Sequence, residues 1–335
     1  MVAEPSVIYG IIGGAPYQIA VPPQPTGNIL IHAHGYRPMG PPRAELELEN
    51  TAHGEMVANG WIVATSAFRR NGMIIRDAME DLMLLRNHIE EVYGPLTLVI
   101  LEGQSMGGAI VTHLAERHPD LFNGAIAIGA ALQSEDQEDP IRLAQDPKIP
   151  VLFLTNRSEI AGPRAYVEAT KEAPVPPVLW KIERDGHVNV NQTERLLAID
   201  ALVSWTTTGN IDANRDITVE IEILDSTVQF NDSGAIGRVI DITHNHGNVF
   251  IDFGPADFDR LDIANGNDFR LIVGGVAVTV RYGTTFSDVH TGDWIAFPTA
   301  DGDTIVAINF GSAFEHLNLA IGDEVRVETI NPAGK

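Results

Sequence analysis

Ser105 stands in Gly103-Gln104-Ser105-Met106-Gly107-Gly108, immediately after an apolar run at 96–101. A serine hydroxyl is a weak nucleophile at its ordinary pKa. To attack a carbonyl it needs a base, an acid behind the base, and donors for the oxyanion that forms. The G-x-S-x-G spacing between a strand and a helix supplies the nucleophile. Side chains flanking the serine would collide with backbone in so sharp a turn, which is why glycines stand there. The turn lifts the serine oxygen over the sheet edge. It also puts the Met106 amide at a helix N-terminus, where developing negative charge is stabilised.

A second oxyanion donor is expected from His34-Gly35-Tyr36, which follows the strand-like run at 29–33. If the chain turns at Gly35, the Tyr36 amide faces the serine. Eleven histidines compete for the role of base. His187, in Arg184-Asp185-Gly186-His187-Val188-Asn189, lies between the last strand pattern and the closing helix pattern, in a loop opening on the same sheet edge as Ser105. His32, His53, His88, His113 and His118 fall inside strand or helix patterns and read as packing or solvated residues. An acid is expected after the run at 151–155, where Asn156-Arg157-Ser158-Glu159-Ile160 offers only Glu159. Asp185 and Asp139 are the alternatives, although Asp185 is too close in sequence to His187 to align easily with its far nitrogen. The order Ser105, Glu159, His187 runs nucleophile, acid, base. His34, Gln104 and Phe68 are expected to contact substrate, with further pocket wall from 37–52, Met73 and Ile74.

Positioning these groups requires a sheet whose strands end at one edge. Short apolar runs at 29–31, 61–64, 96–101, 124–128, 151–154 and 178–182 alternate with helical patterns. Ala78, Leu82, Leu85, Ile89 and Val92 recur at spacings of three and four, as on one helix face. Further helices are expected over 106–118 and 193–206, the latter capped by Thr193. Strands alternating with helices give a mostly parallel sheet covered on both faces. After the polar break at 206–210 the period becomes two, as in the run at 217–223. Similar runs follow at 236–242, 248–253, 269–273, 276–281, 293–297, 304–309 and 323–328. The expected architecture is an α/β catalytic domain over 1–209 followed by an all-β, barrel-like domain over 210–335.

On His34-Gly35-Tyr36, the Gly103–Gly107 turn and the Gly186-His187 loop, residues 1–207 resemble an α/β-hydrolase of the esterase type. That resemblance implies ester hydrolysis through an acyl-enzyme, with no cofactor and no metal. Glu159 departs from the commoner aspartate. The same triad also serves peptides and thioesters. The segment 133–150 carries Glu135, Asp136, Glu138 and Asp139, which argues against an apolar lipid-binding lid. A short-chain or aromatic ester is the expected substrate.

Residues 216–330 resemble the C-terminal β domain of S-adenosylmethionine hydroxide adenosyltransferases. The resemblance is carried by 237–242, His246-Gly247-Asn248-Val249-Phe250, 284–289, Gly292-Asp293, 308–312 and Gly322-Asp323. It implies an oligomer, a trimer in that family, with Asn248 and Phe286 at the adenine contacts. The basic residue expected before the run at 304–309 is replaced by Asp301-Gly302. An oligomerisation or pocket-shaping role is therefore favoured over a regulatory module for an adenosine-like ligand. His244 and His246 would share a strand face, and they read as satisfied or solvated rather than metal-bound.

The 335 residues are 44% hydrophobic and 20% charged, enough for two globular cores. A net charge of -23 repels phosphate backbones and anionic membrane surfaces, so nucleic-acid and membrane partners are not expected. Cysteine is absent, which excludes disulfides, thiolate metal sites and a cysteine nucleophile. No basic segment followed by an apolar run opens the chain, so no signal peptide is expected as written. The compartment stays open between the cytoplasm and a processed exported form.

Overall fold

The computed structural model describes residues 4–133, 139–220 and 226–330. The chain divides into two compact units, one of 1–183 with 190–219 and one of 184–189 with 220–335.

The first unit contains β1 (Ser6–Ile12), β2 (Ala15–Val21), β3 (Asn28–Ala33), α1 (Ala52–Ala58), β4 (Ile62–Ser66), α2 (Ile75–Tyr93) and β5 (Leu98–Gln104). There follow α3 (Met106–Arg117), β6 (Gly124–Ile128), β7 (Val151–Asn156), α4 (Ala161–Ala169), β8 (Val178–Ile182), α5 (Gln192–Thr208) and β9 (Asn214–Asp216). The strands form one sheet in the order β1-β2-β4-β3-β5-β6-β7-β8-β9. From β4 through β9 neighbours are parallel. The hairpin β1–β2 adds an antiparallel edge, carried by the β2–β4 pairing. This is an α/β-hydrolase fold. β4 and β6 are buried along their whole length, as strands covered on both faces must be. The core runs from Ile29, Ile31, Leu101 and Phe153 in the sheet to Leu82, Ile89, Ile110 and Leu114 in α2 and α3.

Three expectations are corrected here. The first unit runs past the break at 206–210, because β9 pairs in parallel with β8 at Leu179↔Asn214 through Lys181↔Asp216. The cap of α5 is Asn191, not Thr193: its side chain accepts from the Glu194 amide, and Glu194 returns the bond to the Asn191 amide. The run at 217–223 has no strand in its described part, 217–220; residues 221–225 lie outside the described residues. Instead Val219 N–H donates to the buried carboxylate of Glu194, and Ile217 is buried. Of the acids expected on the 133–150 segment, Glu135, Asp136 and Glu138 lie outside the described residues. From 139 onward the segment is held by buried Glu116, which accepts from the Ala144 amide and the Tyr166 hydroxyl, each at 2.7 Å.

The second unit contains β10 (Gln229–Asn231), β11 (Gly234–Thr243), β12 (Asn248–Ile251), α6 (Pro255–Arg260), β13 (Asp268–Val273), β14 (Val276–Tyr282), β15 (Trp294–Pro298), β16 (Thr304–Ile308), α7 (Ala313–Leu317) and β17 (Glu324–Thr329). The order β11-β12-β16-β15-β14-β13-β17 closes through β11–β17, giving a seven-stranded barrel with β10 added beside β11. Closure removes the exposed sheet edges that an open meander would leave. The barrel core gathers Val239, Val249, Phe258, Phe269, Leu271, Val306 and Val327, the buried members of alternating strands. His244 and His246 do not share a strand face: β11 ends at Thr243, both lie in the following turn, and the His244 ring packs edge-on to Phe314. Among the described residues no helix is long and apolar enough to cross a membrane.

Candidate active site

Ser105 is the residue between β5 and α3, with φ 56° and ψ -118°. A non-glycine residue at positive φ is strained, and the surrounding packing must over-determine it. It does so here by close approach. A Cβ on Gly103 would stand 2.2 Å from the Gly107 carbonyl oxygen, and one on Gly107 would stand 2.0 Å from the Ala33 carbonyl oxygen. No side chain fits at either position. The Ser105 amide donates to Ile128 O at 2.9 Å, and its carbonyl accepts from Ala131 at 3.0 Å, so the end of β6 braces the turn. Ser105 itself is half-buried, and Met106 opens α3.

The loop after β3 lies against this turn. A Cβ on Gly35 would be 3.3 Å from Ser105 Cβ and 3.9 Å from its Oγ. His34 is buried, and its Nδ1 donates to the Gly35 carbonyl at 2.6 Å. In a trans peptide the carbonyl and N–H point opposite ways, so holding Gly35 O fixes the direction of the Tyr36 N–H. Nδ1 of His34 is thus spent on the loop rather than offered to a substrate. Phe68, expected on an accessible wall, is fully buried and packs on the His34 ring at 4.2 Å; it supports the loop from the core. Ile74 is likewise a core residue, while Met39 is exposed. Burial raises the Tyr36 phenol above its ordinary value. Downstream, Arg37 donates to Arg43 O and Asn71 donates to Pro38 O, so the 37–43 stretch is pinned at both ends. Burial lowers the Arg37 guanidinium to about 10.

Glu159 lies at the carboxyl end of β7, two strands from β5, in a single 3-10 turn over Arg157–Glu159. It is partly exposed. His187 lies in the loop between β8 and α5. That loop, 184–189, belongs to the second unit, where the His187 ring meets Phe286 edge-on at 5.8 Å and Asn189 donates to Pro298 O at 3.2 Å. Phe286 also packs on Phe297 at 5.3 Å. The residues brought together within the first unit are therefore His34, Gly35, Gln104, Ser105 and Met106, with Phe68 behind them.

One cluster escapes the sequence reading. Glu102, fully buried on β5, accepts at Oε2 from His32 Nδ1 and from His53 Nε2, each at 2.8 Å. Arg195 of α5 donates to the other oxygen, and at 3.2 Å to Gln104 Oε1. Among the described residues these two histidines and the glutamate form a group whose ligand atoms converge within 4.8 Å, as around a cation. Two observations favour a hydrogen-bonded set instead. Both imidazole N–H groups are spent on one oxygen, and a dication there would face the fixed charge of Arg195. Burial lowers His32 to about 4 against the opposing pull of Glu102, so the ring is neutral at physiological pH. The charges of Arg195 and His53, with the histidine hydrogen bonds, hold Glu102 well below the ordinary carboxylate range despite its burial. In the sequence this network was visible only as polar residues at strand and helix positions where the pattern calls for apolar ones.

Residues 73–185 match the family described as Hydrolase_4: Serine aminopeptidase, S33. No curated protein matches the sequence. Among solved structures, the chain is similar to an uncharacterized conserved protein from Thermotoga maritima, at 22% identity, TM-score 0.29, covering 41% of this chain and 51% of that one. It is similar to dipeptidyl peptidase 4 of Porphyromonas gingivalis, at 13% identity, TM-score 0.49, covering 62% of this chain and 36% of that one. It is also similar to Est1E from Butyrivibrio proteoclasticus, at 14% identity, TM-score 0.43, covering 60% of this chain and 97% of that one. The chain thus matches about half the length of the first of these proteins and about a third of the second. The fold, read from its sheet order and parallel strands, is that of the α/β-hydrolases. Residues 73–185, the stretch similar to the family described as serine aminopeptidases, contain Ser105.

Proposed function

We propose that the protein is a serine carboxylic ester hydrolase for short-chain or aromatic esters. The observation that carries this reading is the Ser105 turn, with positive φ, backbone on both flanking glycines and Gly35 packed beside the serine side chain. Ser105 Oγ attacks the ester carbonyl as His187 takes its proton. The amides of Tyr36 and Met106 receive the oxyanion. His187 returns the proton to the departing alcohol, then activates the water that releases the acid. Glu159 holds the His187 tautomer. The second unit assembles subunits, as a trimer, and shapes the substrate pocket.

A second reading, peptide hydrolysis, is favoured by one observation: the matched family is described as serine aminopeptidases. The same residues would serve it. A panel of nitrophenyl acyl esters and aminoacyl anilides, run with the wild type and Ser105→Ala, tests both. Ser105-dependent turnover of the esters alone supports the esterase, and turnover of the anilides alone replaces it with a peptidase. Turnover that survives in Ser105→Ala removes the nucleophile and both readings. Light scattering of the intact chain tests the assembly, and a monomer at working concentration would remove it.

A further inference from the structure

Burying a carboxylate and a guanidinium together rarely adds stability, because desolvation offsets most of their attraction. The position of Glu102 gives another reason for the pair to be there. His32 and Glu102 are register partners on adjacent parallel strands. Two residues beyond His32 the chain enters His34-Gly35-Tyr36, and three beyond Glu102 it reaches Ser105. One carboxylate therefore ties together the two strands that deliver the oxyanion loop and the nucleophile, just before they leave the sheet. The same carboxylate reaches outward to two helices. His53 brings in α1, which starts where Gln192 of α5 accepts from the Ala52 amide. Arg195 brings in the first turn of α5 and, through its second nitrogen, the side chain of Gln104 next to the serine. With Oε1 of Gln104 held by Arg195, the amide orientation is set and Nε2 is left as the donor end.

We propose that Glu102, with His32, His53 and Arg195, is a positioning network that fixes the Ser105 turn relative to the oxyanion loop. The inference rests on the serine hydrolase reading above. None of the four touches substrate. They act by preventing the small displacements to which an oriented nucleophile is sensitive; about 1 Å of misplacement can cost on the order of a hundredfold in rate.

The test separates positioning from simple support of the fold. In Glu102→Gln/Arg195→Met both buried charges go at once, so neither is left unpaired. The readouts are thermal unfolding, the rate of covalent labelling of Ser105 by a fluorophosphonate, and kcat and KM on whichever ester the wild type turns over. The expected result is a melting temperature within about 4 °C of wild type, labelling and kcat both lowered by about tenfold or more, and KM unchanged within about twofold. Labelling at the wild-type rate in a folded double variant would overturn the proposal. If that variant does not fold, Arg195→Lys decides. It keeps a positive charge for Glu102 but loses the planar fork that also reaches Gln104, and labelling should slow by about threefold or more. An unchanged rate would overturn the proposal there too. Failure of the underlying reading looks different: a wild-type enzyme that the fluorophosphonate does not label at Ser105, with Ser105→Ala as the blank, is not a serine hydrolase of this kind.

Discussion

Among the described residues of the first unit the buried polar side chains include Glu102, Asp81, Glu116, Glu194, Arg195 and the four histidines His32, His34, His53 and His113. In the second, Asn189 apart, they are Asp257, Thr285, Thr304 and Asn309. Those of the barrel serve nearby backbone: Asp257 accepts from Gly254, Thr285 from Ser287, Thr304 donates to Phe253 and Asn309 to Val289. Several of the first unit's charges do such work as well, as Glu116 and Glu194 show. Glu102 and its partners differ because they converge from four elements on the end of the strand that carries the serine. Burying charge is costly, so a cluster of charged and titratable groups converging beside the serine turn marks a place where geometry is held at the expense of stability. The contrast sets a buried charged cluster beside the serine turn against a barrel whose buried polar groups serve local backbone, and it can be attacked by substitution.

The largest expected effect is at the nucleophile. Ser105→Ala should lower kcat by about a millionfold, as loss of a triad serine does, while the melting temperature stays within about 4 °C of wild type because alanine keeps the Cβ and the backbone conformation at that position. Active-site titration alongside thermal unfolding checks both halves. Next come the glycines. Gly107→Ala forces a methyl to within 2.0 Å of Ala33 O and 2.8 Å of His34 O, which are backbone and cannot swing aside. Turnover should fall by about a hundredfold, with a loss of roughly 1–3 kcal/mol of stability from overpacking. The barrel control is Gly266→Ala, where φ is 85° and nothing lies within 4 Å. There about 1 kcal/mol of strain is expected and turnover should not move. Equal loss of turnover at Gly107 and Gly266 would break the comparison.

The glycine pair also shows what was legible from the sequence. Gly103 and Gly107 carry a spacing that demands a sharp strand-to-helix turn, and the turn is there. Seven alternating runs of the β domain became barrel strands, since a period of two survives without knowledge of partners. The hairpin β1–β2 left no such trace: its burial pattern is mostly exposed on β1, because that strand edges the sheet. Thr193 looked like a cap for its residue type, yet the capping box begins at Asn191, where Glu194 sits at the right offset to answer it. Phe68 was expected on the substrate wall with Met73 and Ile74, and it is fully buried against the His34 ring. It also carries a positive φ of 59°, which no local pattern announces. Least legible was Glu102. A lone acid in an apolar strand has no meaning until His32, His53 and Arg195 arrive from far along the chain.

Buried histidines make the first unit sensitive to acid. His32 and His113 are both lowered from 6.5 to about 4, in each case chiefly by burial. A folded-state value below the unfolded one means the unfolded chain binds the proton first. Their stabilising contribution is complete above about pH 6.5 and is lost as pH falls toward 4. Each contributes on the order of 2–3 kcal/mol across that window. His113 on α3 is the cleaner probe, standing outside the Glu102 network. His113→Gln should flatten the fall in melting temperature between pH 6.5 and 4 by roughly half of the histidine contribution. An unaltered slope would show that another group governs acid unfolding.

The smallest effect belongs to the barrel. Asp257 Oδ2 accepts from the Gly254 amide at 2.8 Å at the start of α6, and the side chain is buried. Asp257→Ala leaves that amide without its acceptor and removes a negative charge from the first turn of a short helix. The expected cost is about 1 kcal/mol, read as a lower denaturation midpoint with an unchanged m-value. Because the bond serves only backbone three residues away, kcat and KM should both stay within about twofold of wild type, the range left to surface and capping changes remote from a site. A drop in kcat comparable to that expected for the Glu102→Gln/Arg195→Met variant would mean that the barrel's local packing reaches the chemistry, and the division of labour between the two units would have to be abandoned.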